Sequence, residues 1–226
     1  MKSRIAVRRV RQGARWSTVL GLLFAASLHA QVAAEANKAY KTKDGRDGVA
    51  KTLDNPNRDK DQKPEEIIGL MEIKPGMSVA DIGTGTGYMP PFLSGAVGAK
   101  GKVYGEDIAQ DFLDRAKIRA ASLFNVQLIL GNETDPKLPP RSVDRVLILD
   151  VYHHFDYPDK MLSNIGRAMK PGAHLVIVDF YKKDRPDHIR IERDDVVKEI
   201  ESNGYRLISS RDRTGNNQYL LTFEKK

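Results

Sequence analysis

The chain has 226 residues, a length that points to one domain with room for an extension, and 40% of them are hydrophobic, enough for a sizeable core. Its formal charge of +7 comes largely from Lys2, Arg4, Arg8, Arg9, Arg11 and Arg15, which lie in an acid-free stretch over 1–30, so the rest is close to neutral and nothing in it argues for nucleic-acid binding. Cysteine is absent, which excludes a thiolate nucleophile and any Cys-based metal centre.

Over 1–30 the basic stretch leads into an apolar run from about Trp16 to Leu28 and then to small residues at Ala30, Ala33 and Ala34. This is the layout of a secretory signal peptide cleaved after Ala30 or Ala34, and it predicts an exported chain, periplasmic or secreted. Two other readings use the same residues: a mitochondrial presequence, because the segment is Arg-rich and lacks acids, and an uncleaved anchor, although the apolar run is short for a membrane span. The tandem Arg8-Arg9 does not select an export route. From 31 to 63 the sequence is polar without steady periodicity and carries turn signals at Asp44-Gly45, Asp47-Gly48 and Asn55-Pro56, which predict a flexible N-terminal extension. The domain proper is placed at 64–226.

Pro64, followed by Glu65 and Glu66, opens a helix to about Met71, since a proline needs no N–H partner there and acids favour the helix dipole. Strand patterns follow at 78–82, 102–107, 126–130, 143–150 and 173–180, with helical patterns between them at 87–97, 110–122 and 158–169. The runs Val143 to Leu149 and Leu175 to Val178 are almost continuously apolar, as parallel strands covered on both faces must be. A helix over 192–202 and two β-like runs, 205–210 and 218–223, joined by Thr214-Gly215-Asn216-Asn217, add a hairpin. Repeated βα units ending in such a hairpin predict a doubly wound α/β fold: a seven-stranded, mostly parallel sheet with an antiparallel C-terminal hairpin.

Val79-Ala80-Asp81-Ile82-Gly83-Thr84-Gly85-Thr86-Gly87-Tyr88 carries the chemistry. An apolar strand ends in an acid and opens into glycines at alternate positions, whose missing Cβ atoms allow positive φ and close approach to a ligand. A dinucleotide fingerprint would need a small residue where Tyr88 stands, which disfavours a nicotinamide-dependent oxidoreductase. The pattern resembles the first motif of class I S-adenosylmethionine-dependent methyltransferases, and the resemblance covers about 64–226 in a Rossmann-like methyltransferase fold. It implies S-adenosylmethionine as cofactor, with Gly83, Thr84, Gly85 and Gly87 carrying its methionine moiety and Asp81 beneath them. Asp107, just before Ile108, matches the ribose-binding acid, with Glu106 as near competitor. Asn132 or Glu133 falls near the adenine, though the run from Gly131 to Leu138-Pro139 is longer than the family's usual link. In this family a segment before the first strand often folds over the cofactor; residues 53–59 are read here as solvated linker instead.

The fourth strand ends in Leu149-Asp150-Val151-Tyr152-His153-His154 beside the first, at the switch point where ligands bind. Asp150 is therefore placed at the cofactor, and Tyr152 and His153 at the acceptor. His153 is the candidate general base, needed only if the nucleophile must lose a proton. His188, within a predicted flap over 184–190, is a second candidate at the acceptor. No spacing of His, Asp and Glu in the sequence makes a metal site. The absence of cysteine argues against the thiol-dependent arsenic enzymes of the superfamily, and the combination of a signal-like N-terminus with Tyr152-His153-His154 is closest to exported predicted bacterial methyltransferases. The reading is methyl transfer to a small-molecule acceptor; a non-catalytic binding protein on the same scaffold is the alternative, because the cofactor is made in the cytoplasm.

Overall fold

The computed structural model describes residues 33–226 apart from Thr214 and Asn216. The expected targeting segment over 1–30 lies outside the described residues. Seven strands form one sheet: β1 (Ser78–Ile82), β2 (Lys102–Asp107), β3 (Val126–Leu130), β4 (Val143–Leu149), β5 (Met169–Phe180), β6 (Tyr205–Arg213) and β7 (Gln218–Lys225). Their order is β3-β2-β1-β4-β5-β7-β6. The first five are parallel, and β7 enters antiparallel between β5 and β6. This is the doubly wound α/β sheet with a C-terminal hairpin that the sequence predicts.

The apolar runs explain the layering. In β4, Val146 and Ile148 pack into one core and Leu147 and Leu149 into the other; in β5, Leu175 and Ile177 oppose Val176 and Val178. Alternate side chains of a strand point to opposite faces, so a central strand with helices on both sides must be apolar at every position. One face is covered by α6 (Pro158–Ala168) and α7 (Arg193–Ser202), through Leu162, Ile165, Val196 and Ile200. The other is covered by α3 (Pro64–Leu70) and α4 (Pro90–Val97), through Ile67, Leu93 and Val97.

Two expectations are corrected. The first helix after the glycine loop begins at Pro90, not at Gly87. Pro90 and Pro91 have fixed φ and no N–H, so they seat the helix start late and remove two donors that a ligand might have used. The second concerns 31–63, expected to be flexible. It contains a helical turn over 33–36, a 3₁₀ turn (Lys38–Lys41), and helices α1 (Lys43–Leu53) and α2 (Arg58–Gln62). Helix α1 and the residue after it are held by ion pairs to α5 (Gln110–Arg119), which no hydropathy pattern reveals: Arg46 Nε lies 2.8 Å from Asp111, Arg115 Nη2 2.8 Å from Asp47, and Arg119 Nη2 2.8 Å from Asp54. Thr86 Oγ1 also donates to Asp54, at 2.7 Å, and Tyr88 OH to Asp59, at 2.9 Å, so residues 53–59 close on the glycine loop and are not a free linker. No helix among the described residues is long and apolar enough to cross a membrane.

Candidate active site

The strand order reverses between β1 and β4, and a cavity of about 700 Å³ opens beyond the C-terminal ends of β1, β2 and β4. That is where an open α/β sheet binds ligands, because diverging loops leave a crevice there. Its floor is the loop after β1. Gly83, Gly85 and Gly87 have φ of 69°, 56° and 82°, as the spacing required, but they serve three different purposes. A Cβ on Gly83 would lie 2.6 Å from the Val151 side chain, and one on Gly87 would lie 2.9 Å from Cα and Cβ of Ala116 in α5. Gly87 is thus a packing glycine outside the cavity wall, whereas Gly83, Thr84 and Gly85 line it.

The acids divide in the same way. Asp81 is buried beneath the loop, outside the cavity wall, and accepts from Thr84 Oγ1 at 2.6 Å. Burial raises its pKa to about 7. Asp107 accepts from Gly85 N and Ala109 N, both at 2.9 Å, and so pins the glycine loop to the end of β2; burial raises its pKa to about 6. Glu106, also in the wall, is pushed well above the carboxylate range, first by burial and then by the neighbouring Asp107 charge. Its Oε1 is buried with no hydrogen-bond partner among the described residues. Ile108 is 53% exposed at the cavity edge, an apolar ledge beside these acids.

At the end of β4, Asp150 takes φ 57°, a left-handed conformation that Asp tolerates better than most residues. Gln218 Nε2 donates to it at 2.6 Å, and burial raises its pKa to about 7. Arg58, half-buried in the opposite wall with its guanidinium 4.0 Å from the Tyr88 ring centroid, is the cation that faces Asp150 and Asp81. Tyr40 completes the cover: its ring stands edge-on to His154 at 4.8 Å, and burial and the acids raise its hydroxyl to about 12. Sequence reading missed Tyr40 and Arg58, which belong to the segment expected to be flexible. Their signal would have been an aromatic and an arginine at turns in an otherwise solvated stretch.

The expected acceptor residues are placed unevenly. Tyr152 is in the core, outside the cavity wall, and its hydroxyl donates to Glu199 at 2.7 Å beside Arg190. His153 is buried behind the wall: Asp179 accepts from its backbone N–H at 3.1 Å and lies 2.7 Å from its Nδ1. His188 also stands outside the wall, its Nε2 3.2 Å from that of His153. The imidazole in the wall is His154, with Phe155 and Met161 beside it. Of the adenine candidates, Glu133 lines the cavity, while the Asn132 side chain closes an exposed turn by accepting from Thr134 N and Asp135 N.

These residues fit S-adenosylmethionine. The volume is that of a small-molecule site, the loop backbone is bare at Gly83 and Gly85, a half-buried cation and acids of both kinds are present for its amino acid and ribose, and the orphaned Glu106 oxygen lacks a donor.

The comparisons with known proteins agree. The family described as "Methyltransferase domain" matches residues 80–177. A demethylmenaquinone methyltransferase of Bacillus mycoides is 33% identical over 119 residues, 51% of this chain and 49% of that protein. One of Listeria monocytogenes is likewise 33% identical, over the same shares. The chain thus spans about half the length of these curated relatives. A crystal structure of a SAM-dependent methyltransferase from Aquifex aeolicus superposes with a TM-score of 0.73 at 31% identity, covering 78% of this chain and 96% of that one. With that coverage, the chain belongs to the class I S-adenosylmethionine-dependent methyltransferases.

Proposed function

We propose that this methyltransferase acts on a small-molecule acceptor bound beneath Tyr40, beside His154, Phe155 and Met161. The observation that carries the reading is the cavity, whose acidic and glycine-rich end passes into an aromatic and apolar end. The relatives named demethylmenaquinone methyltransferase support a small acceptor with a ring, since both they and this cavity suit planar apolar groups.

Bound in this cavity, S-adenosylmethionine would supply an electrophilic methyl group on a sulfonium. The residues of the chain do the rest. Asp107, with Glu106 behind it, accepts from the ribose hydroxyls, Ile108 and Glu133 border the adenine, and Arg58 pairs with the carboxylate of the methionine moiety. Asp150 and Asp81 place negative charge near the cationic groups, which attracts them without covalent chemistry. Helix α1, clamped to α5, and α2, tied to the glycine loop through Tyr88, exclude water and hold the acceptor in line, the main requirement of a methyl transfer.

Calorimetry with S-adenosylmethionine, S-adenosylhomocysteine and NAD, followed by transfer of labelled methyl to a panel of quinols, phenols and small amines, tests this. Binding of the first two ligands, none of NAD, and label in one of the small acceptors are the expected results. Label only in protein or nucleic acid would sink the proposal.

A further inference from the structure

We propose that His153, His154 and His188 form a three-imidazole site for a divalent transition metal, of which zinc is the best match, at the wall of the cavity. The sequence hides this site, because His188 follows the first two by more than thirty residues and no motif spacing links them. The fold brings them together. His153 and His154 lie in a 3₁₀ turn (Tyr152–His154) after β4, and His188 comes from the loop between β5 and α7. One ring nitrogen of each falls within 4.8 Å of the others. The ring centroids of His153 and His154 are 4.1 Å apart, those of His153 and His188 4.8 Å, and those of His154 and His188 5.2 Å.

Three features favour an ion over a chance meeting of rings. First, a tetrahedral zinc with bonds near 2.0–2.1 Å holds its nitrogens about 3.3 Å apart, and the Nε2 atoms of His153 and His188 are 3.2 Å apart. Closing the set requires movement of at most about 1.5 Å, within reach of ring rotation and of the His188 loop.

Second, the outward nitrogens are already committed. His153 Nδ1 donates to Asp179 Oδ1 at 2.7 Å, and His154 Nδ1 donates to Asn37 Oδ1 at 2.7 Å, while Asn37 Nδ2 donates back to the His154 carbonyl at 3.1 Å. With Nδ1 protonated, each Nε2 keeps its lone pair. A carboxylate or amide behind a ligating histidine is the usual support of a metal site, fixing tautomer and ring orientation.

Third, the surroundings suit a cation. The buried carboxylate of Asp179 and the half-buried one of Asp150 stand close to His153. Three imidazoles with no thiolate select zinc, copper or nickel over magnesium or calcium. Three protein ligands leave a fourth position open, as in catalytic zinc sites. Through His154 that ion would border the acceptor end of the cavity, although the site stands whether or not methyl transfer is the reaction.

The test uses the full chain without an affinity tag, stripped with chelator and then titrated with Zn²⁺ and with Co²⁺. Expected are one ion per chain and the visible absorption of tetrahedral cobalt. Asp179→Asn should weaken binding about 10–100-fold. His188→Gln, at a half-buried loop position that leaves the core untouched, should weaken it further and remove the cobalt spectrum. S-adenosylmethionine binding, measured on the same His188→Gln sample, should persist, since His188 is outside the cavity wall. A parent chain that retains no ion, or a His153→Ala, His188→Gln double variant that is folded by circular dichroism and binds zinc like the parent, overturns the proposal and leaves only a hydrogen bond between the two rings.

Discussion

Asp150 offers a sharp test of the electrostatics at the cavity. Its carboxyl is half-buried in the cavity wall, faced by Asp179, Arg58, His153 and Gln218, and its pKa is raised to about 7 because burial penalises the charge. A cationic ligand is attracted to the ionised form. With a pKa near 7, that form falls from about nine-tenths of the population at pH 8 to about one-tenth at pH 6, so S-adenosylmethionine affinity should drop roughly tenfold, about 1.4 kcal/mol. Asp107, raised to about 6, is still half ionised at pH 6 and adds about a factor of two. Calorimetry at pH 6, 7 and 8 should therefore find a loss in the parent about tenfold larger than the loss in Asp150→Asn. Asparagine suits φ 57° as well as aspartate does, so the variant keeps its backbone. Stability must move the other way. A carboxyl raised from 3.8 to about 7 contributes most to folding below its unfolded value and loses that contribution as pH rises towards 7. Asp150 alone should add about 1.4 kcal/mol of stability per pH unit on acidification from pH 7 to 5, a slope by which the ligand-free parent exceeds Asp150→Asn, and Asp150→Asn should melt higher than the parent at pH 8. An affinity that is flat between pH 6 and 8, or an unchanged profile in Asp150→Asn, refutes the reasoning.

Three further outcomes are expected. Gly85→Val places its branches at φ 56° in the cavity floor, 3.0 Å from Leu53, and should abolish S-adenosylmethionine binding in a folded chain; Gly87→Ala, at φ 82° and 2.9 Å from Ala116, should instead lower stability by about 1–3 kcal/mol, as scanning calorimetry would show. Asp107→Ala should cost about 1.5–3 kcal/mol of cofactor binding, and some stability besides because Gly85 N and Ala109 N lose their acceptor, whereas Glu106→Ala should cost much less; the reverse order in a titration would move the ribose site by one residue. We also propose export with removal of the leader, so that N-terminal sequencing of material from the source organism starts near Gln31 or Glu35; intact Met1 in a soluble cytoplasmic fraction would contradict it.

Local sequence decided what depends on neighbours along the chain. The alternation of apolar and polar runs determined the strands of the sheet to within a few residues, because a strand buried on both faces has no freedom to carry polar side chains. Asp81, Gly83, Thr84 and Gly85 were legible together, since a turn with positive φ beside a ligand admits few other residues. The hairpin was legible in Thr214 to Asn217 for the same reason. Tertiary structure decided everything that depends on meeting across distance. The polar helix at 43–53 is held by ion pairs to α5 and the one at 58–62 by hydrogen bonds from Tyr88 and Arg213, and such polar contacts leave no periodic signature. Whether Tyr152, His153 or His154 reaches the cavity depends on the direction of a single 3₁₀ turn, which hydropathy does not encode. The gathering of His153, His154 and His188, backed by Asp179 and Asn37, draws on residues more than a hundred positions apart, and only the closed fold brings their nitrogens within a few ångströms.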